Sequence, residues 1–171
     1  VIEMFRHLVS TLSLVLTLTS VPGWSLEPPA TLPKRYILAT ATTGGTYYPV
    51  GVALATLTKV KIEPRHGISI SAISSAGSEE NISLMRNNQA QFAILQGLYG
   101  AWAWNGAGEL AADGPQHYLR SVTMLWQNVE HFVIASEFVA TGDMRDLHRL
   151  RGKRFSLGQL GSGTAGSGRY I

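Results

Sequence analysis

The chain has 171 residues, a formal net charge of +3, 45% hydrophobic residues and 15% charged ones. That balance excludes a disordered protein and sets the scale at one domain, or one domain and the start of another. Basic residues are scattered (Lys34, Arg35, Lys59, Lys61, Arg65, then Arg145 to Arg154) with no basic face interleaved with aromatics, which argues against nucleic acid, and the absence of cysteine excludes a disulfide scaffold, a thiolate metal site and a cysteine nucleophile.

Arg6 and His7 precede the uncharged run Leu8 to Val21, and Pro22, Gly23, Trp24 and Ser25 follow. A short basic region, roughly 14 apolar or hydroxyl residues and a small-x-small end describe a secretory signal peptide over residues 1–25. The competing readings are an N-terminal membrane anchor and an amphipathic helix, but the run is short of the about 20 residues a span requires. Residues 26–35, rich in proline, read as a linker.

Tyr36 to Ala39 reads as a strand running into the loop Thr40 to Thr46. Pro49 suits the first turn of a helix whose apolar face is Val50, Leu54, Leu57 and Val60, ending before Lys61 to Gly67. Ile68, Ile70 and Ala72 alternate with small residues as a second strand, and Ser75 to Ser78 forms a second glycine loop. Ser78 is a candidate N-cap, with Glu79 and Glu80 in the dipole-favoured first turn and Asn87-Asn88 as the stop. Phe92 to Leu95 is a third strand closed by Gln96-Gly97, Tyr99 to Trp104 a short helix, and Asn105 to Gly114 a glycine-rich loop. Leu119 to Leu125, His131 to Ala135 and Phe155 to Leu157 read as strands, Met144 to Leu150 as a short helix, and Gly158 to Gly168 as the last glycine loop. Alternating strand and helix predicts an α/β domain with a largely parallel sheet.

Three times a strand runs into Gly, Ser and Thr residues able to open a helix: at Gly44-Gly45-Thr46, at Gly77-Ser78 and at Gly161 to Thr164. Ligands of open α/β sheets bind at the carboxyl ends of the strands, where helix N-termini offer free N–H groups and a positive dipole end. Each loop alone is also a plain turn; three together describe a grip on a small carboxylate without metal or cofactor. Gly161 to Gly166 formally satisfies the dinucleotide fingerprint G-x-G-x-x-G, a rival reading that a preceding strand and a later acidic residue would support. The five histidines lack metal-ligand spacing. Asp143 and Asp146 read as solvated, Glu79-Glu80 as helix-start charge rather than an acid/base pair, and Trp102, Trp104 and Trp126 as core or pocket lining. No catalytic constellation emerges.

LATATTGGTYYPVG from Leu38 to Gly51 resembles the signature of TAXI-type solute-binding proteins of TRAP transporters. AGSEENISLMRNNQAQFAILQ (Ala76 to Gln96) and LHRLRGKRFSLGQLGSGT (Leu147 to Thr164) resemble that family's two further blocks in order. The resemblance, over about Tyr36 to Arg169, implies a type II periplasmic binding protein-like fold of two α/β lobes. Residues 36–136 would form the first lobe, and residues 137–171 the hinge and start of a second that is truncated here. Such a fragment would leave sheet and cleft surface exposed. It also implies ligand contacts at Gly45, Thr46, Tyr47, Tyr48, Ser78, Asn81, Gln96, Ser162, Gly163 and Thr164. The family's partners would be a small organic acid or acidic amino acid, glutamate-like, and the membrane permease that receives it from the periplasm. Gly97 departs from the polar residue expected after Gln96. A sensor module on the same fold and an α/β enzyme at Gly161 to Gly166 are the alternatives.

Overall fold

A computed structural model describes residues 32–171. The expected signal peptide and most of the expected linker lie outside the described residues.

Strand β1 (Lys34–Ala39) is central in a three-stranded parallel sheet of order β2-β1-β3, flanked by β2 (Ile68–Ile73) and β3 (Phe92–Ala93). Lys34 to Ala39 face Ile68 to Ile73 residue for residue, while Leu38 and Ala39 pair with Phe92 and Ala93. The α/β class expected from the alternation is the observed one. β3 is two residues rather than four: Ile94 still donates its N–H to Ala39 at 3.0 Å, but the chain then turns away.

Helix α1 (Tyr47–Leu57) runs on through a π-helical turn at Thr58–Ile62 and a last helical turn at Glu63–His66. It stops at Gly67, whose φ of 63° is the left-handed conformation that a glycine terminus favours. The expected end before Lys61 is therefore corrected to His66. The expected apolar face is also corrected. Leu54, Leu57 and Val60 are exposed, and the residue that meets the sheet is Gly51. A side chain there would overlap Thr40 and press on Leu38 and Ala72, so the missing Cβ is what lets α1 lie on the sheet.

Helix α2 (Ser78–Arg86) and helix α3 (Gly97–Asn105) follow β2 and β3. The main cluster of buried side chains joins Ile82 of α2 to Tyr99, Trp102 and Ala103 of α3 and to Leu110 in the 3-10 turn Gly108–Asp113. Trp102 is thus core, whereas Trp104 is exposed and stacks near His117.

Beyond Leu119 the structure departs from the expected strands. Neither Leu119 to Leu125, His131 to Ala135 nor Phe155 to Leu157 is a strand. Val122, Met124, Val129, Val133 and Phe155 are exposed. Their alternation suits a sheet, but a strand requires a neighbour to complete its ladder, and none lies beside them among the described residues. Met144–Leu150 is a 3-10 helix whose cap, Asp143, accepts from the Arg145 N–H at 2.9 Å. Asp146 is not solvated: it is buried, and both its oxygens take N–H donors from Thr141 and Gly142. Burial raises the pKa of this carboxyl, but those donors and the Thr141 hydroxyl outweigh it and hold it below the usual range. The second half of the last glycine loop is helix α4 (Gly163–Tyr170).

Candidate functional site

Because the three strands are parallel, Ala39, Ile73 and Ala93 end at the same edge, and the chain leaves each of them toward a helix start. Helices α1, α2 and α3 open at Tyr47, Ser78 and Gly97. Their first-turn N–H groups, which lack partners within their own helices, gather at that edge with the positive ends of the helix dipoles, the Glu80 N–H being taken by the third loop.

The second loop is the most tightly built. Ser78 is the first residue of α2 rather than its cap, which is Gly77 at φ 133°. Its buried hydroxyl accepts the Gln96 N–H at 2.9 Å and so ties the start of α2 to the start of α3. Glu80, in the first turn of α2, reaches back with its carboxylate to the Ala76 N–H at 2.6 Å, in the loop just before the cap. That contact fixes Glu80 as helix-start charge.

Asn81 is fully buried and spends its amide on the scaffold. Its Nδ2 donates to the carbonyls of Thr40 (2.6 Å) and Ile94 (2.9 Å), and its Oδ1 accepts from the Ser75 hydroxyl at 2.6 Å. It therefore holds the exits of β1 and β3 together and positions the loops. Thr40 adds a second tie through its hydroxyl, which donates to the Ile73 carbonyl at 2.6 Å.

The third loop arrives from far along the chain and seats on the second. The Glu80 N–H donates to the Gly161 carbonyl at 3.3 Å, and a Cβ on Gly77 would stand 3.1 Å from Ser162 Cα. Ser162 caps α4 by accepting the Ala165 N–H at 3.1 Å. Gly163 packs directly on the Gln96 amide and the Ser78 hydroxyl, where any side chain would overlap them. Helix α4 is anchored at its other end by Glu109, which accepts from the Tyr99 hydroxyl at 2.6 Å and from Arg169 through both Nε and Nη2.

Tyr47 closes the group from the first loop. Burial raises its pKa, a Ser78 hydrogen bond lowers it, and the charge of Glu130 raises it again, leaving it above the ordinary phenol value. Its ring takes the edge of Trp126 at 5.7 Å between centroids. Glu130 accepts from Gln96 Nε2 at 3.1 Å, while Gln96 Oε1 is buried with no partner.

Of the ten expected contacts, Tyr47, Ser78, Gln96, Ser162 and Gly163 come together. Asn81 lies behind them as a scaffold clamp. Gly45 sits in a turn closed by its own N–H to the Thr42 carbonyl at 2.9 Å; Thr46 is exposed, Tyr48 is half-buried, and Thr164 is exposed beside Gly158. Trp126, expected as core or pocket lining, lies against Tyr47 at this edge, and Glu130 was not foreseen. Gln96 and Glu130 are 34 positions apart, and no local pattern marks the pair. The dinucleotide reading loses its strand, since Phe155 to Leu157 is irregular, and Gly166 abuts the Tyr99 hydroxyl as a helix-packing glycine. A separate groove of about 380 Å³ between Phe132, Leu147, Phe155 and Gly168 contains none of the ten residues.

Comparison with known protein families finds one model, described as the NMT1-like family, that matches residues 38–171. The match begins in β1 and runs through all three glycine loops.

Proposed function

The chain belongs to the NMT1-like family, and from that premise we propose that it captures a small organic acid or acidic amino acid, glutamate-like, for a TRAP-type permease. The family is periplasmic-binding-like: a binding family rather than an enzymatic one, with a small-molecule ligand and membrane transporter partners, and typically extracytoplasmic. No helix among the described residues is long and apolar enough to cross a membrane. The TAXI assignment, the glutamate-like ligand, the signal peptide and the periplasmic address belong to the proposal and rest on the sequence blocks.

The observation that carries the ligand class is the convergence of glycine loops and helix starts at one edge of a parallel sheet, with Tyr47, Ser78 and Gln96 among them. Such an edge attracts a carboxylate through N–H donors and dipole ends without metal. We assign ligand contact to Gly45, Thr46, Tyr47, Tyr48, Ser78, Gln96, Ser162, Gly163 and Thr164, with Asn81 holding the loops in place. Residues 36–136 form the first lobe in this reading, and residues 137–171 begin the second, which closes over the ligand about a hinge.

A thermal-shift screen tests this. A ligand that binds only the folded chain raises Tm by mass action, by RT ln(1 + [L]/Kd) in free energy. L-glutamate, succinate and related acids are expected to raise Tm, and NAD and ATP to leave it unchanged. A shift with a dinucleotide alone would overturn the reading in favour of a nucleotide-binding protein.

A further inference from the structure

Glu130 puts an acid at an edge otherwise built to attract one. It belongs to a stretch with no regular structure: residues 121–129 are all exposed, and residues 121–134 donate no backbone hydrogen bond among the described residues. Among the described residues, the Trp126 ring against Tyr47 and the Glu130 carboxylate on Gln96 Nε2 tie that stretch to the loops. The Gln96 amide is oriented by the second. Pointing Nε2 at Glu130 leaves Oε1 buried and unpaired beside Gly163. An amide flips to satisfy its stronger partner, and a carboxylate outcompetes a neutral group for an N–H donor.

We propose that residues 126–130 form an internal strap whose Glu130 carboxylate occupies the position of a ligand carboxylate, so that Glu130 sets affinity by competing for Gln96 and its neighbours. The inference rests on the carboxylate-binding reading above and adds its control. Charge-assisted hydrogen bonding gives the internal carboxylate its hold. The lack of backbone bonds in the strap makes its release inexpensive, as expected of segments that open locally. A bound ligand takes over the Gln96 amide and frees the strap. The intrinsic affinity is thereby reduced by the fraction of molecules in which Glu130 is seated.

The test is calorimetric titration of the whole chain with L-glutamate and with succinate, in wild type, Glu130→Gln and Glu130→Ala. Removing the carboxylate is expected to tighten both probes by about tenfold in Glu130→Ala, with Glu130→Gln in between because its amide oxygen still accepts weakly. Without any ligand, the Gln96 side-chain amide resonance is expected to move in Glu130→Ala. Unchanged affinity, or an unmoved Gln96 resonance, overturns the strap while the binding function stands. Weaker binding of L-glutamate with succinate unaffected overturns it too, by giving Glu130 to the ligand's ammonium group. If no variant and not the wild type binds either acid, both readings fall.

Discussion

At the scale of single residues, buried side chains with every polar atom committed matter most. Asn81 supplies both its amide donors to carbonyls at the exits of two strands. Asn81→Asp keeps the size but places an acceptor against two acceptors. It is expected to cost about 3 kcal/mol or more in urea unfolding. Ser78→Ala leaves the buried Gln96 N–H without its acceptor, with an expected loss of about 1–3 kcal/mol by the same measurement, and with weaker carboxylate binding as well. Ser78 was legible in the sequence as a helix-start serine after a glycine, though for a different bond from the one it makes. Asn81 was legible as part of a motif but not as a clamp, because its partners lie 41 and 13 positions away.

At the scale of elements, helix α4 joins the site to the core. Its start presents Ser162 and Gly163 to the second loop, and its far end is held by Glu109 through Tyr99 and Arg169. The Arg169 hydrogen bond is the main reason the Glu109 carboxyl lies below its usual range; burial opposes it, and the Tyr99 hydroxyl supports it. A carboxyl whose folded pKa is depressed contributes stability that is complete above its unfolded value of about 4.3 and lost as pH falls through the folded one. The protection of α4 amides, corrected for intrinsic exchange at each pH, is therefore expected to fall below about pH 4, and Glu109→Gln to show that lower protection already at neutral pH with little further pH dependence. Identical protection of α4 in the two forms at neutral pH would remove Glu109 from that role. Gly166→Ala, which drives a methyl into the Tyr99 hydroxyl, is expected to cost about 1–3 kcal/mol and to loosen the same helix. The sequence showed this region only as a glycine loop. Glycine-rich text reads as turn, but Gly163 and Gly166 are there because Gln96 and Tyr99 leave room for backbone alone where the helix packs.

At the scale of the molecule, what could be read in advance was what depends on local pattern. Alternating Ile68, Ile70 and Ala72 located β2, and the spacing of Val50, Leu54 and Leu57 located α1. Which face of α1 meets the sheet was misread, because the contact is made by a glycine that no hydrophobic scale weights. The apolar stretches after Leu119 were misread as strands, because a strand is a property of two segments and the partner is not written in either. The candidate site was legible for the same reason as the sheet: glycine loops at strand ends are local signals, and parallel strands bring them to one edge. Trp126 and Glu130 reach that edge from an irregular segment and carry no such signal.

The central claim is that a carboxylate binds at this edge. The most direct test is a ¹⁵N–¹H NMR titration of the chain with L-glutamate and with succinate. The account expects saturable shifts concentrated in residues 44–48, 75–78, 96–97 and 158–164. Shifts confined to the groove between Phe132, Leu147 and Phe155, or no saturable shift with either acid, would contradict it.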